Sequence, residues 1–286
     1  MYRGDGFRPE YKRVAAVRSV LQCPCLALSA TATGRVLSDV KNTLQLHNCR
    51  VKAHPPDRAN IYLELARRSS LLPDRDLAWI VAGLRAEKQH FNKTIIYARS
   101  INSVTELYAW LLGCLEEDVY VRPTVSSDKQ SMVAMYHAHL SEDRQKMTVD
   151  EFRKPDSAIR VVISTIAFGM GVEVPDIRQI VHWGKVSSLM SYWQEVGRAG
   201  RDGAASRAVW YCTSTAAGSD SVLQTMYSAA ACLRLTILGG FVVPGMSLSL
   251  FEELQSRAAC SEQCQQCVCA LCTCCSYCCN QCPCNN

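Results

Sequence analysis

Residues 160–203 read RVVISTIAFGMGVEVPDIRQIVHWGKVSSLMSYWQEVGRAGRDG. The run Val161, Val162 and Ile163 is β-branched and apolar at consecutive positions, so a strand there needs cover on both faces, as in a parallel sheet between helical layers. Two further strands are predicted in IRQIVHW (177–183) and SRAVWYC (206–212), with an amphipathic helix in SLMSYWQEVGRAG between them. Upstream, KTIIYARS (93–100) places another short apolar strand before a helix over 102–115. A further buried strand is predicted in LQCPCLALSATAT (21–33), running into a loop of small residues. Strand followed by helix is therefore the repeating unit, and the fold class is α/β with a mostly parallel sheet. Ligands on such sheets bind beyond the carboxyl ends of the strands, where the loops SATAT, ARS and STIAFGMG fall.

Beyond residue 212 the character changes. Small residues lead into a helical stretch over 221–238, a Gly-Gly break and a second helix over 249–259. Of the 17 cysteines, eleven lie between Cys260 and Cys284, in a biased tail with no hydrophobic period, to which no regular structure is assigned. The N-terminus is charged where a secretory leader needs an apolar run, and no stretch of about 18 apolar residues is present. With no leader, the cysteines point to metal binding or lipidation before disulfides. The net charge of +5 is concentrated at the front, where residues 1–56 hold nine Lys/Arg against three Asp/Glu. That surplus suits a polyanion such as DNA, and equally a solvated basic face.

The chemistry-bearing segments are few. In GRAGRDG (197–203), Arg198 and Arg201 stand three residues apart, so on a helical turn both guanidinium groups can meet one triphosphate. A basic helix end explains the same residues without function. Ser29, Ala30, Thr31, Ala32 and Thr33 form a loop rich in hydroxyls after a strand, suited to an interface between lobes. Ser164, Thr165 and the glycines around Gly171 offer amides and hydroxyls to a nucleic-acid phosphate, or simply make a tight turn.

Taken together and in this order, these segments resemble RecQ-like ATP-dependent DNA helicases of superfamily two. FRPEYKRV (7–14), LALSATAT (26–33), KTIIYARS (93–100) and the nearly continuous block 160–203 carry the resemblance, which covers residues 3–213. It implies the end of a first RecA-like lobe (1–57), a second lobe (58–214), a helical zinc-binding-like subdomain (215–268) and a cysteine-rich tail expected to be disordered (269–286). By position, Arg198 and Arg201 match the arginines that reach ATP and its Mg2+ from the second lobe. Gln194, Gly197, Asp202 and Gly171 flank the nucleotide, and the loop Ser29–Thr33 couples hydrolysis to movement. Arg99, Ser100, Thr165 and His182 match strand contacts. Cys232, with Cys260, Cys264 and Cys267, resembles a four-thiolate Zn2+ site.

The implied activity is 3′–5′ unwinding of single-stranded or forked DNA in repair and recombination, in the nucleus, with no membrane association. The sequence departs from the family too. It contains no GxxxxGK[ST] and no DExH box, Asp150-Glu151-Phe152 being a poor stand-in, and Arg3 stands where a tryptophan is usual. This chain alone is thus expected to lack hydrolysis, its first lobe being supplied from elsewhere. The alternatives are a non-catalytic nucleic-acid-binding module and a metal-binding or lipid-anchored protein built on the tail.

Overall fold

A computed structural model of the chain describes residues 14–20, 23–68, 72–121, 129–169, 173–213, 220–228, 230–256 and 269–283. Two compact units are present, one of residues 1–57 with 238–256 and one of 58–237 with 257–286. The second unit holds the sheet. Its strands in chain order are β1 (Ile61–Arg67), β2 (Thr94–Ala98), β3 (Tyr120–Val121), β4 (Gln130–Ser131), β5 (Val133–Tyr136), β6 (Val161–Ser164), β7 (Gln179–Trp183) and β8 (Ser206–Cys212). Six of them form one sheet in the order β1-β8-β7-β2-β6-β5, with every pair parallel. The pair β3 and β4 is a separate antiparallel ribbon.

Local sequence explains the elements. The helices are α1 (Val14–Val20), α2 (Gly34–Thr43), α3 (Ala78–Glu87), α4 (Ile101–Leu115), α5 (Glu142–Arg153), α6 (Leu189–Val196), α7 (Ser221–Ser228), α8 (Leu233–Gly239), α9 (Ser249–Gln255) and α10 (Ser276–Asn280). Ser100 caps α4 by accepting from the Ser103 amide, and Val104, Leu107, Leu111 and Leu115 form its buried stripe. Ser141 caps α5, whose first turn carries Glu142 and Asp143 against the positive end of the helix dipole. On the sheet face packed by α3 and α4, Ile96, Val161, Ile163, Val181 and Val209 join Ile80, Leu84 and Leu107 in one core. The alternate residues Ile95, Val162, Ile180 and Trp210 are fully buried on the opposite face, as the period of two requires.

Four expectations are corrected. Residues 23–29 form no strand, and Leu26 and Leu28 are 81% and 84% exposed, because no described strand pairs with them. The helix expected over 221–238 is broken into α7 and α8, and α9 groups with the first unit, so the stretch read as one subdomain is shared between two units. Strands β1 and β5 form the two edges of the sheet where the sequence pattern predicts none. Lastly, the tail is ordered over 269–283: the Leu63 amide donates to the Cys274 carbonyl at 3.3 Å, Leu63 bridges Cys275 in parallel fashion, and the Leu65 amide donates to Ser276 Oγ at 3.3 Å. The tail therefore covers the exposed edge of β1, where unpaired backbone groups would otherwise recruit another strand. Cys274, Cys275, Cys278 and Cys282 are all buried, since a thiol packs as a small apolar group without needing helical or strand periodicity.

Candidate functional site

The arginine loop follows α6 directly. Residues 197–202 are turns, not a continuing helix, so Arg198 and Arg201 differ: Arg198 is buried and Arg201 exposed. One residue organises this loop. Arg58, half-buried ahead of β1, donates from Nη1 to the Gly197 carbonyl at 2.9 Å and from Nη2 to the Ala199 and Gly200 carbonyls at 2.9 and 2.8 Å. Asn60 Nδ2 adds bonds to the Gly200 and Ala204 carbonyls, both at 2.9 Å. Gly200 has φ +54°, and a β-carbon there would lie 2.4 Å from Asn60 Nδ2, so only glycine permits the close approach. Burial and the adjacent Arg201 charge both push the Arg58 guanidinium below its usual pKa. Arg234, fully buried on α8, in turn holds the Arg58 carbonyl at 3.0 Å.

Asp202 is engaged elsewhere. Its carboxylate takes a two-point ion pair from Arg178, at 3.1 and 2.5 Å, which holds its pKa below the ordinary carboxylate value. Gln194 is half-buried on α6, Gly197 offers its carbonyl to Arg58, and Gly171 lies outside the described residues. In the other unit, Ser29 Oγ donates to the Thr31 carbonyl at 2.7 Å and Thr33 caps α2. Ala30 is exposed, Ala32 half-buried, and Thr31 is the buried member of the loop.

The strand-contact candidates gather at the other end of the sheet. Gly197–Gly203 precedes β8, beside the starts of β1 and β7, whereas Arg99, Ser100 and Thr165 follow β2 and β6. There a cavity of about 320 Å³ is lined by Tyr97, Arg99, Ile166, His182, Lys185 and Glu195, among others. Arg99 and Lys185 are exposed at it. His182 differs from the expectation of a free strand contact: it is 3% exposed, stacked on Tyr97, and its Nε2 lies 2.9 Å from Glu195 Oε2. A His–Glu pair buried this deeply fixes α6 to β7. Ser100 is taken up in capping α4, and Thr165 Oγ1 accepts from the Ala167 amide at 3.4 Å.

A parallel six-stranded sheet thus carries an arginine loop at one end and a basic-rimmed cavity at the other. Residues 76–203 match the family described as "Helicase conserved C-terminal domain". This segment is a helicase C-terminal domain. The chain is 32% identical over 72% of its length to ATP-dependent helicase wrn-1 of Caenorhabditis elegans, and 33% over 70% to ATP-dependent DNA helicase Q5 of Mus musculus. These relatives bear out the RecQ-like resemblance. The chain spans about a fifth of each, at 18% and 19% of their lengths. Among solved structures, Saccharomyces cerevisiae Dbp5 bound to RNA and ADP BeF3 aligns over 88% of this chain and 59% of that one, with TM-score 0.55 at 16% identity. DEAD-box helicase Mss116 bound to ssRNA and UDP-BeF aligns over 73% and 41%, with TM-score 0.56 at 17% identity. At such identity the likeness speaks to the fold, that of a RecA-like helicase lobe.

The helicase domain is followed by thiols that could hold a metal. Cys260, Cys264 and Cys267 lie outside the described residues. Among the described residues Cys232 meets Cys274, Cys275 and Cys278, all four sulfurs lying within 4.8 Å of one another. Cys232 Sγ is 3.7 Å from Cys274 Sγ and 3.9 Å from Cys275 Sγ. Four sulfurs about 2.3 Å from a tetrahedral ion stand roughly 3.8 Å apart, so the donor set fits zinc. Hydrogen bonding with Cys274 lowers the Cys232 thiol below its ordinary pKa.

Several residues of the site carry no sequence signal. Arg58 and Asn60 act on partners 139 to 144 positions away. Glu195 had one: a lone carboxylate on the apolar face of α6, between Tyr192 and Val196, needs a buried partner.

Proposed function

We propose that this chain is the second motor lobe of a RecQ-like ATP-dependent DNA helicase moving 3′ to 5′, acting on single-stranded or forked DNA in nuclear repair and recombination. One observation carries it: the Gly197–Gly203 loop, with both arginines, is held by Arg58 and Asn60, while the basic cavity stands at the opposite end of the same sheet. Arg198 and Arg201 would face the ATP triphosphate, with Gln194 and Gly197 beside it. Bound there, ATP and Mg2+ supply the phosphoryl chemistry together with a first lobe. The two guanidinium groups offset negative charge on the phosphates. A DNA strand lies across Arg99, Thr165 and Lys185, its phosphates neutralised by the two basic side chains. Zn2+ at Cys232, Cys274, Cys275 and Cys278 belongs to the same reading, as a structural ion.

The test joins this chain to a first lobe that carries GxxxxGK[ST] and a DExH box. The expected result is DNA-stimulated ATP hydrolysis that Arg201→Ala abolishes, with no hydrolysis by the 286-residue chain alone. Arg99→Ala and Lys185→Ala should each flatten the salt dependence of single-strand binding by about 0.7 in log-log slope. A folded chimera without hydrolysis overturns the motor reading. If it still binds DNA in a salt-sensitive way, the chain is a non-catalytic binding module. Among the described residues no helix is long and apolar enough to cross a membrane.

A further inference from the structure

A second group of three thiols lies apart from both the four-thiolate group and the residues assigned to the motor. Cys269, Cys272 and Cys282 bring their sulfurs within 4.8 Å of one another and share no residue with the group around Cys232. Cys269 Sγ and Cys282 Sγ are 3.6 Å apart, and the Cys272 amide donates to Cys269 Sγ at 3.4 Å. We propose that these three residues form a second soft-metal site, which takes a zinc ion through three thiolates and leaves its fourth position to a ligand outside the trio.

The geometry carries this in three ways. A disulfide needs sulfurs roughly 2.05 Å apart, whereas zinc bound at about 2.3 Å sets them near 3.8 Å, close to the observed spacing. Cys269 and Cys272 are a CxxC pair, and the chain between them turns so that the second amide points at the first sulfur. An N–H donor aimed at a sulfur stabilises it as thiolate, the form a metal requires. Cys282 arrives from the far side of α10, its amide donating to the Cys279 carbonyl at 3.1 Å. An ion here would therefore close the segment 269–282, which contains Cys274, Cys275 and Cys278 and covers β1. Thiolate donors favour zinc over hard cations such as magnesium. Cys279 stays out of both groups and hydrogen-bonds Tyr62.

The experiment uses the full chain purified without oxygen and with zinc as the probe, zinc per chain being measured by elemental analysis. Cys272→Ser and Cys282→Ser should each hold one zinc fewer than the parent, Cys232→Ser one fewer, and Cys232→Ser with Cys272→Ser two fewer, while Cys279→Ser keeps the parental content. Parental zinc in both Cys272→Ser and Cys282→Ser overturns the second site. Loss of an ion in those two variants but not in Cys232→Ser overturns the four-thiolate reading and leaves this one standing. Should the serine variants fold poorly, cobalt titration of the parent decides. Two successive thiolate-to-metal absorption steps, the weaker-binding one open to added imidazole, support the site. A single step, or a Cys269–Cys282 disulfide in the oxygen-free protein, refutes it.

Discussion

Replacing Arg58 by alanine removes three hydrogen bonds at once, to the carbonyls of Gly197, Ala199 and Gly200. A hydrogen bond from a charged donor contributes about 1.5–3 kcal/mol when shielded, and nearer 1 kcal/mol where water competes. Arg58 is half-buried, so the lower figure applies to each bond. Gly200 retains Asn60 as a donor, but Ala199 is fully buried, and its carbonyl loses the Arg58 bond with no access to water. The expected loss is about 3 kcal/mol, or roughly 150-fold in the unfolding equilibrium. Urea unfolding measures it selectively, because all five tryptophans lie between residues 79 and 210, within the sheet unit, so indole fluorescence reports on that unit. With a slope of about 3 kcal/mol per molar, the midpoint should fall by roughly 1 M. Arg58→Lys should recover less than half, since an ammonium cannot fork to three carbonyls. A shift below about 0.5 kcal/mol at unchanged slope would show that the loop holds itself, and the clamp reasoning would be wrong.

Gly200→Ala should destabilise the same unit by about 2 kcal/mol or more, combining a left-handed backbone with contact against Asn60, Ala204 and Ser206; an unchanged urea midpoint would contradict it. Asp202 has its pKa lowered in the fold by Arg178, so its ion pair stabilises fully above the ordinary aspartate pKa and loses that contribution as pH falls through the lowered one. Its carboxyl resonance should titrate below about 3.9, and Arg178→Met should move the midpoint up. Lys93 is 1% exposed, and its ammonium pairs with Asp176 at 2.8 Å and donates to the Lys154 carbonyl at 2.7 Å, so Asp176→Asn removes its counter-charge while leaving hydrogen bonds and should cost about 2 kcal/mol in chemical unfolding.

The strands that announce themselves are those buried on both faces. Val161–Ile163 and Ile95–Tyr97 are runs of apolar residues because β6 and β2 sit inside the sheet. Edge strands write a weaker pattern: β1 interrupts its apolar residues with Glu64, which pairs across to Arg207 on β8, and β5 is four residues long. LALSATAT fails for the opposite reason, since its apolar run was read as burial while Leu28 stands in solvent. In the site, the three-residue spacing predicts Arg198 and Arg201 on one helical face, whereas the loop turns so that Arg198 is buried and Arg201 exposed, and Arg58 and Arg234, which hold the loop, carry no signal at all. Their bonds go to backbone carbonyls, and a carbonyl leaves no trace in residue identity. The order of the tail leaves no sequence signal because burial of thiols follows neither of the two periodicities that betray regular structure.

The two ends of the sheet are joined by one short element. Helix α6 begins just past Lys185–Ser187, which line the cavity, and ends one residue before Gly197-Arg198 closes on Arg58. Eight residues of helix span about 12 Å, the separation that a rigid α6 sets between those two loops. Rigidity is supplied from both sides. Asp220 accepts the Leu189 amide at 3.0 Å and also caps α7, while Glu195 is locked to His182 and Tyr192 packs on Trp210. The buried His182–Glu195 pair is unfavourable to place in a core unless both groups satisfy each other, and at 2.9 Å each supplies the other's partner while tying α6 to β7.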